Sequence, residues 1–196
     1  SQISTGSVSV TYGFQDTTIY VLDDAGTEMG LSLKFDNSQG GTVNVTRIDA
    51  HPPADFLTPF IDTDLSITDP VYARRYYEIS SDISDSALFV DIGFYYATLP
   101  GILDPSALRL AKRTLNAGTG EEWTIIPIAD TDYEIDGFVT ATGQRSFSQW
   151  TMLSNVGENT FEDTQAPIVV STWLSQDPPD ISTDFTVSAT IYDESD

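Results

Sequence analysis

The sequence predicts an all-β fold: an antiparallel β-sandwich of immunoglobulin or jelly-roll type, followed by the first strands of a second β-sandwich module. Three observations carry that expectation. Apolar residues recur at every second position in short runs. Those runs are bounded by Gly, Asn, Asp and Pro, the residues that make turns. No stretch keeps an apolar stripe at helical spacing over three turns.

Val8, Val10, Tyr12 and Phe14 alternate with Ser9, Thr11 and Gly13. Ile19 to Leu22 follows, closed by the turn Asp23-Asp24-Ala25-Gly26. Leu31, Leu33 and Phe35 form the next alternating set, and Thr42 to Arg47 the one after, with Val43 and Val45 on one face. Further strands are expected at 75–79, 88–94, 108–110, 123–128, 138–141 and 146–152. Asp104-Pro105-Ser106-Ala107-Leu108 has a capping residue before a proline, so a single helical turn is expected there, leading into a strand. Many short, evenly spaced strands indicate a sandwich or barrel. Trp123, Trp150, Phe147, Leu110, Val90, Ile92 and Phe35 are the expected core.

A boundary is expected near 155–167, where periodicity stops and Asp163-Thr164-Gln165-Ala166-Pro167 reads as a linker. The expected organisation is a β-sandwich module over 1–160, a linker over 161–167 and a partial immunoglobulin-like module over 168–196. In that last part Ile168 to Trp173 is one strand, Asp177 to Asp180 a loop, and Phe185, Val187, Ala189 and Ile191 a second strand. Two strands do not make an independent domain.

Composition narrows the partners. The 196 residues hold 30 Asp and Glu against 8 Lys and Arg, a net charge of −22. A surface of that sign offers no basic patch to displace the counterions of nucleic acid or to bind anionic lipid. It suits divalent cations, a salty medium or a basic partner. No apolar run approaches the length of a membrane span, so membrane insertion is not expected. There is no cysteine, which excludes a disulfide framework, thiol catalysis and thiolate metal sites.

The chemistry-bearing residues point to calcium more than to catalysis. His51 is the only histidine, so any Ser/His/Asp triad must use it. Pro52 and Pro53 follow it and fix a loop-like backbone. Asp130, Asp132, Glu134 and Asp136 sit at every second position before Gly137. On one extended strand their carboxylates share a face and repel unless a cation sits among them, so these four are the candidate metal ligands and calcium the candidate cofactor. A true EF-hand is excluded, because Gly143 stands where the twelfth-position glutamate belongs. Asp62 with Asp64 and Asp69, Asp23 with Asp24, and the junction acids Asp163, Asp193, Glu194 and Asp196 are weaker candidates. The pairs Tyr76–Tyr77 and Tyr95–Tyr96 each place one ring outward, and exposed rings stack on sugars.

Three stretches carry a resemblance: Arg75-Tyr76-Tyr77-Glu78-Ile79, the run Gly101 to Leu110 leading on to Trp123, and Arg145-Ser146-Phe147-Ser148-Gln149-Trp150. Their order resembles a β-sandwich module of large secreted bacterial surface proteins, with Tyr77 where that pattern usually shows Trp. The tail from Ala166 is similar to the opening of a bacterial immunoglobulin-like repeat. The resemblance implies a secreted, non-catalytic structural or interaction module at the cell surface: a spacer, adhesin stalk or filament subunit. Its partners would be other modules of the same chain, neighbouring copies or polysaccharide. The alternative is a carbohydrate-binding accessory module of a secreted hydrolase.

Overall fold

The computed structural model describes residues 2–13, 17–36, 39–52, 60–113, 123–133, 136–162, 168–174 and 187–192. The chain forms two compact units, Ser1–Phe161 and Glu162–Asp196. The first is a β-sandwich of two sheets. One has seven strands, in the order β1 (Gln2–Tyr12), β4 (Gln39–Asp49), β6 (Pro70–Ser81), β12 (Gln149–Asn155), β8 (Arg109–Arg113), β9 (Trp123–Ile125) and β5 (Phe60–Ile61). The other has five: β10 (Thr131–Tyr133), β11 (Phe138–Gln144), β7 (Val90–Tyr95), β3 (Glu28–Phe35) and β2 (Thr18–Leu22). All pairs in the two sheets are antiparallel except β5 with β9. Helical geometry among the described residues is confined to three single turns. The turn at Pro105–Ala107 is the expected one: Asp104 accepts hydrogen bonds from the Ser106 amide (3.0 Å) and hydroxyl (2.6 Å). Those bonds hold the Asp104 carboxyl below its ordinary range.

Alternation set which residues meet between the sheets. Leu31, Leu33 and Phe35 on β3, Val90, Ile92 and Phe94 on β7, and Val43 and Val45 on β4 are all buried in one cluster. Trp150, Leu110 and Tyr77 join it from the larger sheet, and Phe147 packs against it half-buried. Tyr77, Phe94 and Trp150 run as a row of rings across the interior, at 5.4 Å and 5.5 Å between centroids. Tyr77 of the 75–79 strand thus occupies a core position.

The Tyr77 hydroxyl lies 2.9 Å from the Met29 carbonyl and 3.1 Å from that of Gly30. Burial pushes this phenol up to about 12. The fold therefore favours the protonated ring. That stability is complete below pH 10, the ordinary tyrosine value, and is lost as pH rises through about 12. The expected loss is about 2–3 kcal/mol, at about 1.4 kcal/mol per unit. Alkaline denaturation curves should show it. Tyr77→Phe should reduce the slope, leaving the part due to Tyr72, Tyr76 and Tyr133, whose phenols burial also raises. An unchanged slope would contradict the assignment.

Trp123 is buried as expected, at 1% exposure, but it lies on the other side of the seven-stranded sheet. It packs there with Ile67, Tyr72, Ala111, Ile125 and Leu153, and Phe60 lies against them. The segment 60–69 covers this second, smaller core. Periodicity gives the face of a strand but not what covers it.

The second unit contains β13 (Ile168–Leu174) paired antiparallel with β14 (Val187–Tyr192). These match the two strands expected after the linker. Phe14, residues 163–167 of the expected linker, Asp177 to Asp180 and Phe185 lie outside the described residues.

Candidate binding cleft

The described members of the acidic series lie on different local elements. Asp130 lies on the helical turn Ile128–Asp130, Asp132 on β10, and Asp136 in the turn that leads into β11. Asp130, Asp132 and Asp136 thus belong to a helical turn, a strand and a turn respectively, and do not share one extended strand. Glu134 lies outside the described residues, as do the junction acids Asp163, Asp193, Glu194 and Asp196. Among the described residues no group of three or more His, Cys, Asp or Glu side chains is arranged to hold a metal ion.

Several other acids serve the backbone. Asp23 accepts from the amides of Ala25 (2.9 Å) and Thr27 (2.8 Å), which closes the β2–β3 turn. Asp62 accepts from the Asp64 and Ile67 amides at 3.1 Å and 2.8 Å, and Asp64 from the Ile128 amide at 2.6 Å. Asp82 and Asp91 accept from the Thr42 and Gly143 amides at 2.6 Å and 2.8 Å. Asp49 sits between two guanidinium groups, 2.8 Å from Arg47 and 2.7 Å from Arg75. His51 is exposed at the end of β4.

The feature that does converge is aromatic. On β3 and β7 the inward residues are Leu31, Leu33, Ile92 and Phe94, so Gly30, Ser32, Gly93 and Tyr95 line the outer face of the five-stranded sheet. The register places Tyr20 beside Ser32, Ser32 beside Gly93, and Tyr95 beside Phe138. With glycine or serine between them, rings from β2 and β11 lean together across two intervening strands. Tyr20 and Phe138 are 5.9 Å apart and tilted by 52°; Phe138 and Tyr95 are 5.0 Å apart and tilted by 48°. Phe138 lies on Gly93, where a Cβ would fall 3.2 Å from its ring. Tyr95 packs on Gly137, whose Cβ would fall 2.9 Å from that ring.

The three rings enclose a cleft of about 210 Å³ with Gly30, Glu28 and the backbone neighbours Val21 and Leu31. Gly30 has a φ of +67°, a conformation that L side chains rarely adopt, and a Cβ there would fall 3.2 Å from the Tyr77 hydroxyl and 3.5 Å from the Tyr95 Cβ. Tyr20 is 54% exposed while Tyr95 and Phe138 are half-buried, so Tyr20 is the free wall. The lining offers apolar ring faces, two phenol hydroxyls and one carboxylate. Tyr95 is the outward member of its expected pair. Tyr96 packs against the core, and Tyr76 is half-buried on the larger sheet. Tyr20 and Phe138 were not visible as site residues, because only the strand order brings positions so distant in sequence together.

The chain matches no protein-family model, no curated protein and no solved structure.

Proposed function

We propose that this chain is a non-catalytic extracellular module of a larger cell-surface protein, and that it binds carbohydrate in the aromatic cleft. The observation that carries the proposal is the meeting of Tyr20, Tyr95 and Phe138 around Gly30, with Glu28 at the rim. A pyranose presents an apolar C–H face and a hydroxyl edge. Ring faces cover the first, and the carboxylate and phenols bond the second. The cleft volume suits one sugar ring rather than a drug-sized ligand, which takes about 300–1,000 Å³. An anionic ligand is disfavoured by Glu28 and by the net charge of −22. The non-catalytic reading is supported by the use of Asp23, Asp62, Asp64, Asp82, Asp91 and Asp104 as acceptors for backbone amides. The acidic surface supports a salty or cation-containing surrounding.

The test is a panel of neutral α- and β-linked oligosaccharides, measured by affinity electrophoresis and calorimetry on the full chain. At least one should bind with a Kd of about millimolar or tighter. Tyr20→Ala should weaken it by about three- to tenfold, the value of one ring contact. Because Tyr20 is largely exposed, the variant should melt like the parent. Binding that survives Tyr20→Ala unchanged would place the ligand elsewhere.

A further inference from the structure

Natural sheet edges are blunted by charge, proline, bulges or shortness, because an open edge pairs with other strands. Three edges of this sandwich follow that rule: β5 has 2 residues, β10 has 3, and β2 has 5 with a register shift. β1 does not. It has 11 residues, without a charge or a proline, and pairs with β4 from Gln2–Asp49 to Tyr12–Gln39 with no shift in register.

The direction of its backbone groups follows from one bond. The Asp24 amide, which belongs to neither β1 nor β4, donates to the Thr5 carbonyl at 2.9 Å. Thr5 therefore aims its backbone away from β4, and Ser7, Ser9 and Thr11 aim theirs the same way. No described residue bonds to the outward backbone groups of these three. Their side chains are exposed. Behind them the register places Thr42 beside Ser9, Asn44 beside Ser7, and Ser80 beside Asn44. The side chains beside this edge are thus hydroxyls and an amide, and the Asp82 carboxylate, which accepts from the Thr42 amide at 2.6 Å, follows β6, beyond β4 from the edge.

We infer that the Ser7–Thr11 edge of β1 pairs antiparallel with the same edge of a second copy of this chain. Two copies at −22 each repel, and they can join only where their contact opposes no carboxylates. The strip from Ser7 to Thr11 meets that condition, and the pairing is self-complementary: Ser9 faces Ser9 and Ser7 faces Thr11 of the other copy. Three hydrogen-bonded pairs supply about six backbone bonds. Asp24 occupies the edge at Thr5 and ends the contact there. Association should strengthen with monovalent salt, since the screening length falls from about 30 Å at 0.01 M to about 8 Å at 0.15 M.

Sedimentation equilibrium of the full chain, from micromolar to millimolar concentration at low and moderate sodium chloride, is the test. A dimer is expected, tighter at the higher salt. Ser9→Pro removes an outward N–H and leaves the bonds to β4 in place, so it should raise the dimer Kd by about tenfold or more. Ser9→Lys puts like charges opposite each other and should do the same without the demand proline makes on φ. Unchanged circular dichroism and melting will show that either variant folds. Oligosaccharide binding should be equal in parent and variants, because the cleft lies on the other sheet. A monomer under every condition, or a dimer indifferent to both substitutions, would overturn the inference.

Discussion

Replacing Trp150 with alanine is expected to destabilise the first unit by about 3–5 kcal/mol, the usual cost of emptying a large buried aromatic site. Trp150 is fully buried on β12, a central strand of the larger sheet. Its ring meets Phe94 of the opposite sheet at 5.5 Å and carries the Lys112 ammonium at 5.6 Å. It therefore ties the two sheets together at their middle. Its indole N–H has no hydrogen-bond acceptor among the described residues, so the contribution comes from packing and the cation contact. Burial lowers the Lys112 pKa, and its ammonium donates to Gln144 at 2.8 Å. A cavity beside that ammonium would admit water and raise the pKa again. Urea denaturation gives the stability loss directly. A loss below about 1 kcal/mol would mean the ring is not the bolt between the sheets.

Trp123→Ala is expected to cost a similar amount, about 3–5 kcal/mol, for a different reason. Trp123 is the centre of the second core, on the opposite face of the same sheet, with the Arg113 guanidinium 5.1 Å above its ring. What it holds down is the segment 60–69, whose Ile67 packs in that cluster. The two variants should therefore differ in how they open. Under native conditions, limited proteolysis should cut Trp123→Ala first within 60–69, by local unfolding. Trp150→Ala should be cut there no faster than global unfolding allows. Equal cleavage patterns would mean that the second core is not a separate unit.

What alternation could show, it showed well. The inward positions of β3, β4 and β7 follow period two, and the capped turn at Asp104 follows from an acid, a proline and a serine in the right order. The failures have physical causes. Alternation places Asp130 and Asp136 on one strand with Asp132, yet only Thr131–Tyr133 is described as strand: Asp130 belongs to the helical turn that Pro127 caps, and Asp136 to a turn beside Gly137 at φ +87°. Tyr12 keeps the period of Val8 and Val10 but is the last residue of β1, and it is 84% exposed. The cleft was half legible: an outward Tyr95 follows from its neighbour Phe94 pointing in. Its partners Tyr20 and Phe138 become visible only when β2 and β11 are placed in one sheet, which is a non-local fact.

The most direct test of the cleft is a two-dimensional amide spectrum of the full chain titrated with the tightest oligosaccharide of the panel. The amides of Val21, Gly30 and Leu31, which line the cleft, should shift together and saturate with one Kd, while those of Ser7, Ser9 and Thr11 stay in place. Shifts that saturate elsewhere on the sandwich and leave Gly30 unmoved would contradict carbohydrate binding at this site.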